Sequence, residues 1–376
     1  MKKLLLLSAS ALLSLSAMAQ VTEPTLTLDW STQTDVPAAG WGAYARIADG
    51  YDNKIYINHV KEGLYCFTGN VTTKSATRSL IAGVSASGCG PSIDSKGNAI
   101  ILGAYNAAPS SLVLWNAKTS EAKTVTLTLP TGFTAGSVCY LGDAVGDIFG
   151  EGGAIFIVGN GNTGILKVYF ANGVQVVDKT KVIETGVTAD SQTIAVPVTE
   201  DPNSDECLLR KRGDKDFYYN DGTEWKQYAS VGNVSTTAGG DAVVLGGVLF
   251  TIEPAKLGAD NYMDGWQIVE RDNNTLVKSV AEIAKVASGG YNTSITAEKV
   301  SDTKANIYHV HPGALVAKYT FEIPADYKDA LTAIESVAVD ANAPVEYYNL
   351  QGVKVANPEN GLFIKKQGNK ATKVIL

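Results

Sequence analysis

The sequence predicts an all-β protein: a six-bladed β-propeller closed by an N-terminal strand, followed by a small C-terminal β-meander. Three observations predict it. Clusters of small residues recur about every fifty residues, near the periods that mark propeller blades. Each cluster leads into short runs rich in Val, Ile, Tyr and Thr, residues that suit a pleated, half-buried surface. The 376-residue chain also holds 37 glycines and 17 tyrosines, which serve tight turns and strand-borne aromatics. Hydrophobic residues make up 45% and charged residues 18%, a balance that builds a large core and excludes disorder. Lys plus Arg number 31 against 38 Asp plus Glu, a formal charge of -7. With no basic cluster in the chain, that charge argues against nucleic acid as a partner.

The chain opens with Lys2 and Lys3, then an apolar run from Leu4 to Leu15, then Ala17-Met18-Ala19. This order reads as a signal peptide over residues 1–19, cut between Ala19 and Gln20. The run falls short of the ~20 apolar residues that a spanning helix needs, and no later segment reaches that length. The expectation is an exported mature chain with no membrane span. Cys66, Cys89, Cys139 and Cys207 are widely spaced with no C-x-x-C, which speaks against zinc and thioredoxin-like chemistry. Export permits a disulfide, and the spacing selects no pairing.

Residues 20–323 carry the repeat. The clusters are Gly40-Trp41-Gly42-Ala43, Ala86-Ser87-Gly88-Cys89-Gly90, Thr134-Ala135-Gly136-Ser137, Val187-Thr188-Ala189-Asp190-Ser191, Thr237-Ala238-Gly239-Gly240 and Ser288-Gly289-Gly290-Tyr291. Second strands follow turns at Lys54–Ile57, Ala99–Ile101, Ala154–Ile157, Glu206–Leu209, Val248–Phe250 and Ala305–Tyr308. Third strands follow at Gly63–Phe67, Ser111–Trp115, Gly164–Tyr169 and Trp266–Glu270. The fourth unit, Gln192 to Ser230, fits least well, and Leu276 to Val286 suits a helical period as well as an outer strand. The last unit has room for three strands only. Its fourth is expected from Pro24–Trp30, paired with the strand around Lys318, so that the two open edges of the ring close on each other.

After Pro324 the composition changes. Residues 324–343 read as a linker with a helical turn near Lys328 to Glu335, and residues 344–376 as four short strands. In the latter, Tyr348-Asn349-Leu350-Gln351-Gly352 precedes a Val-Lys-Val strand, then Asn360-Gly361-Leu362-Phe363-Ile364, a glycine turn and a terminal Lys373-Val374 strand. This tail resembles the C-terminal sorting domains of the type IX secretion system of Bacteroidetes. The resemblance covers about a tenth of the chain. It implies delivery across the outer membrane by that machinery, and says nothing about the activity of the cargo. A secreted or outer-surface location follows, or the periplasm if the tail is not a sorting signal.

Catalytic motifs are sparse. Gly159-Asn160-Gly161-Asn162-Thr163-Gly164 matches G-x-G-x-x-G but runs into a strand, so it reads as a hairpin turn and not a dinucleotide site. The acidic run Asp201 to Glu206 lacks the glycine and distal glutamate of an EF-hand loop and reads as a solvated turn. The three histidines, His59, His309 and His311, fall at equivalent strand ends of the first and last units. Ring closure would bring them together, where a metal site competes with plain surface histidines. Around the channel mouth, Trp41, Tyr44, Arg46, Asp143, Asp190, Asp241, Tyr291 and Asn292 are the ligand-binding candidates. Aromatic plates with carboxylates suit a neutral sugar or a peptide. No catalytic residue and no cofactor is assigned. The expected function is binding of a glycan or protein ligand through this top face. A glycan lyase or hydrolase there, and a structural adhesin, are the alternatives.

Overall fold

The computed structural model describes residues 23–34, 36, 48–59, 62–84, 88, 90–134, 136–211, 214–234, 239–256, 265–281, 294–311, 315–335, 344–349, 352–359, 361–367 and 370–375. The expected cleavage point at Ala19 and Gln20, and with it Trp41, Tyr44, Arg46, Cys89, Tyr291 and Asn292, lie outside these residues. The chain forms two compact units, Pro24–Ile323 and one that holds Pro324–Leu376.

The larger unit is all-β and built of antiparallel sheets. Strand β1 (Thr25–Thr32) stands apart in sequence. The first sheet is β2 (Ala48–Tyr51), β3 (Lys54–His59), β4 (Gly63–Asn70) and β5 (Ser75–Ile81). The second is β6 (Ser92–Ile93), β7 (Ala99–Leu102), β8 (Ser111–Asn116) and β9 (Glu121–Thr126). The third is β10 (Ala144–Asp147), β11 (Gly152–Val158) and β12 (Gly164–Ala171), with β13 (Val174–Gln175) and β14 (Lys181–Glu184) both on the outer edge of β12. The fourth is β15 (Ile194–Pro197), β16 (Cys207–Arg210), β17 (Phe217–Asn220) and β18 (Trp225–Tyr228). The fifth is β19 (Asp241–Leu245), β20 (Val248–Ala255), β21 (Gly265–Glu270) and β22 (Thr275–Ala281). The sixth is β23 (Ser294–Ser301), β24 (Lys304–His311) and β25 (Leu315–Glu322), and its fourth strand is β1.

Neighbours along the chain are neighbours in each sheet, because short turns favour antiparallel meanders. Two hairpins use consecutive left-handed residues, Asp52 and Asn53 (φ 47° and 64°) and Gly246 and Gly247 (φ 56° and 74°). That backbone twist matches the twist of the strands it joins. The one distant pairing is β1 with β25, in the register Leu26↔Phe321, Leu28↔Tyr319 and Trp30↔Lys318.

The first strands of the sheets contact one another in a cycle. Strand β2 meets β6, β6 meets β10, β10 meets β15, β15 meets β19, β19 meets β23, and β23 returns to β2. The hydrophobic core is correspondingly layered. On β3, Ile55 and Ile57 pack with Trp30, Tyr308 and Val310 of the sixth sheet, while Tyr56 packs with Ile101 and Trp115 of the second. On β7, Ala99 and Ile101 face the first sheet, and Ile100 and Leu102 face the third. Phe156 and Val158 of β11 meet Ala195 and Leu209 of the fourth, and Leu208 and Phe217 meet Ala242 and Leu249 of the fifth. Phe250 stacks edge-on against Phe321, with centroids 5.2 Å apart, between the fifth and sixth. Strands covered on both faces need apolar residues at every position. This explains unbroken runs such as Ala154-Ile155-Phe156-Ile157-Val158.

The smaller unit carries helix α1 (Tyr327–Glu335) and a four-stranded sheet. Its strands are β26 (Val345–Tyr348), β27 (Lys354–Val355), β28 (Leu362–Gln367) and β29 (Lys370–Ile375), ordered β27-β26-β28-β29.

Candidate functional site

The six inner strands border one cavity of about 370 Å3. Asp49 and Gly50 of β2, Ile93 of β6, Ala144 of β10, Pro197 of β15, Ala242 of β19 and Ala297 of β23 all line it. It extends toward the turns that lead into the second strands, past Tyr51, Ser95, Glu200 and Lys299. The small-residue clusters instead precede the inner strands, so the cavity reaches toward the face opposite the one the sequence suggests.

Three carboxyl groups come together beside this cavity. Asp49 accepts hydrogen bonds from the backbone N–H of Gly50 (2.7 Å) and of Ile93 in the next sheet (2.6 Å). Asp241, fully buried, accepts from the N–H of Ala242 (2.6 Å) and of Ala297 in the next sheet. Asp143 immediately precedes β10 and is hydrogen-bonded to Asp241. Burial holds Asp143 well above the usual carboxylate range, and the Asp241 charge beside it adds to the effect. Burial pushes Asp241 up to about 7. Asp49 is raised by burial first and by Asp143 second, against its two backbone donors. Desolvation disfavours the charged form, and a second carboxylate disfavours it further. The pair therefore titrates as a unit. Asp241 has two N–H donors to support its anion, so of the two Asp143 is the one favoured to hold its proton.

These carboxyls are part of a wider set of ties between neighbouring sheets. Asp94, just after β6, accepts from the N–H of Ile148 beyond β10 (2.9 Å). Ser294 Oγ accepts from the Ala48 N–H (3.0 Å) and donates to the Ala48 carbonyl (2.9 Å), joining β23 to β2. Short inner strands offer each other few ladder bonds, so side chains supply the links between sheets.

The predicted site residues fare differently. Asp143 and Asp241 come together, Asp241 fully buried and Asp143 partly exposed on the cavity wall. Asp190 lies apart from them in a turn, where its carboxylate accepts from Gln192 N–H (2.8 Å) and Thr193 Oγ (3.1 Å). The histidines are not brought together. His309 lies on the face of β24 that meets Trp266, 6.3 Å between ring centroids, toward the fifth sheet. His311 shares that face by strand alternation. His59 shares the parity of Ile55 and Ile57, which face the sixth sheet from the other side. The sixth sheet thus stands between His59 and the other two. Among the described residues no group of three His, Cys, Asp or Glu side chains is placed to hold a metal ion.

Gly159 to Gly164 forms the turn between β11 and β12, with the Asn162 N–H donating to the Gly159 carbonyl (3.1 Å). In the acidic run, Asp201 is occupied by Asn203, and Asp205 by Lys167 (3.2 Å) and Lys181 (2.6 Å). Cys66, Cys139 and Cys207 are buried free thiols.

Sequence reasoning missed Asp49 and a second buried network. Arg271 pairs with Glu253, both fully enclosed. Arg271 Nε also donates to Thr251 (2.8 Å), and Gln267 donates to the other Glu253 oxygen (3.0 Å). The Arg210 and Arg271 guanidiniums each lie about 5 Å from the Phe217 ring, at 5.2 and 5.0 Å. The available signal was charge inside apolar strands: Asp49 within Ala48–Tyr51, and Glu253 within Val248–Ala255.

No family model matches the chain, and no curated protein matches it. Among solved structures, a DUF4623 family protein from Bacteroides eggerthii superposes with a TM-score of 0.54 at 12% identity. The match covers 81% of this chain and 77% of that one. A structure of BBS1N in complex with ARL6DN gives a TM-score of 0.46 at 7% identity, over 81% of this chain and 98% of that one. At these identities the first likeness is one of fold, an all-β architecture.

Proposed function

We propose that Pro24–Ile323 is a six-bladed β-propeller that acts outside the cytoplasm as a binding module. It takes a glycan or protein ligand at an end of its axis, without catalysis. Residues 344–376 serve it as a type IX-like sorting signal. The observation that carries the reading is the convergence of six inner strands on one cavity. The cyclic contacts of those strands and the β1–β25 pairing support it. A concave axial opening framed by rigid strands is where such folds bind.

The enzyme reading draws on one feature, the Asp143–Asp241 pair. Glycosidases separate their two carboxyls by about 5 Å or more, to flank a scissile bond. Carboxyls hydrogen-bonded to each other are closer than that. Binding without turnover is therefore favoured.

The test is a glycan and peptide array probed with the chain from Gln20 onward. Tyr51→Ala and Lys299→Ala variants at the cavity, and Trp41→Ala and Arg46→Ala variants at the predicted top face, are compared with it, and hits are assayed for turnover. Ligands retained by the parent and lost by a Tyr51 or Lys299 variant support a site at the cavity, and ligands lost only by a Trp41 or Arg46 variant place it at the top face. An array with no hits overturns the binding reading, and turnover abolished by Asp143→Asn installs the enzyme in its place. Deleting residues 344–376 and locating the protein by cell fractionation tests the sorting role separately.

A further inference from the structure

Among the described residues, every carboxyl that lines the cavity except Asp143 accepts from an N–H or O–H donor. Asp94 accepts from the N–H groups of Lys96 and Asn98, each at 2.9 Å, besides that of Ile148. Glu200 accepts from Ser95 Oγ (2.7 Å), and Glu206 from the Tyr219 hydroxyl. Glu298 accepts from Asn306 Nδ2 (2.8 Å), the Tyr308 hydroxyl and the Asp52 N–H (3.1 Å). Asp143 is instead bonded to another carboxyl. Among the described lining residues the one lysine, Lys299, pairs with Asp302 at 3.0 Å. No cation among those residues is thus left to offset a second negative charge beside the cavity.

We propose that Asp49, Asp143 and Asp241 form a proton-operated latch on the inner strands. With a proton held between Asp143 and Asp241, β2, β6, β10, β19 and β23 stay tied around the cavity. When alkali removes that proton, repulsion forces the entry to β10 away from β19 and the cavity opens. The carboxylates of Asp49 and Asp241 are also the acceptors that bridge β2 to β6 and β19 to β23, so repulsion among the three acts directly on the seams. Like charges in a buried site interact far more strongly than in water. Among the described residues that line the cavity, the groups facing the latch are those named above, acidic except for Lys299 and the tyrosine hydroxyls. They reinforce the repulsion.

The test is hydrogen exchange on the full chain at pH 6.0 and 8.5, corrected for intrinsic rates. Protection at Ile93 and Ala297 should fall at least tenfold at the higher pH, while β7 and β11 stay protected. In Asp143→Asn the amide donates to Asp241 without titrating, so protection should be level across the range. Equal protection in the wild type at both pH values overturns the proposal, as does a loss in Asp143→Asn that matches the wild type. The wild type alone also decides. Carbon-13 carboxyl spectra should show one aspartate titrating near neutrality and a second raised beside it in a separate step, and all aspartates titrating below pH 5 would sink the latch. No ligand enters these measurements, so failure of the binding reading leaves them intact.

Discussion

Arg271 ties the fifth sheet to the fourth. Its guanidinium reaches Glu253, Thr251, Asn274 and the Ala229 carbonyl, and lies over Phe217 and Tyr228. A buried ion pair adds little net stability over an apolar pair, but breaking one side strands a charge. Arg271→Ala should cost about 3–5 kcal/mol in urea denaturation, whereas a paired replacement, Arg271→Met with Glu253→Leu, should recover most of it. Gly69 is a second such point. The Trp30 indole lies where a Cβ would stand, and its Nε1 donates to Asn53, whose own amide donates to the Gly69 carbonyl. Gly69→Ala should lower stability by about 1–3 kcal/mol through overpacking, read as a shift in denaturation midpoint. The glycine was visible in the sequence. Its partner was not, because Trp30 arrives from a strand 39 positions earlier (69 minus 30).

At the scale of elements, β1 repays the closest look. Leu26, Leu28 and Trp30 read as one face of a strand. A bulge between Leu28 and Trp30 breaks that alternation. Leu28 is left 36% exposed while Trp30 is fully buried. The bulge also turns Asp29 inward, where its carboxylate accepts from Lys318 Nζ and from Thr320 Oγ (2.7 Å). Trp30→Ala should cost about 3–5 kcal/mol and free the edge of β25 for pairing with other chains. Light scattering on warming should detect the resulting aggregates well below the wild-type transition. The existence of this strand and its distant partner were legible, because an unpaired strand at one end matched a missing strand at the other. The bulge was not legible, since it depends on how β25 twists against it. Strand β22, where helical and strand periods fitted equally, was decided by the open edge of β21 that it covers.

For the whole molecule, pH is the informative variable. Asp49, Asp143 and Asp241 are raised by burial, so the folded chain holds protons that the unfolded chain has released above about pH 4. Their contribution to stability is fully present below that value. It is lost as pH rises through the folded values, near 7 for Asp241. Asp205, held low by Lys181 and Lys167 against the cost of its burial, acts in the opposite sense and loses its contribution as pH falls. The melting temperature should therefore decline from pH 5 to pH 8. Each titrating group sets a slope of at most about 1.4 kcal/mol per pH unit. Asp143→Asn should flatten the decline, as measured by calorimetry across that range.

The sequence by itself determined the sheets. Spacing, turn residues and apolar runs are local properties, and short antiparallel meanders follow from them without reference to distant chain. Only the tertiary structure decided the site. Asp49, Asp143 and Asp241 are 192 positions apart end to end (241 minus 49), and what makes them notable is shared burial and mutual charge. The parity of β24 likewise sent His309 and His311 to the face away from His59. Which side chains share one desolvated space is a property of how sheets meet, and no periodicity along the chain encodes it.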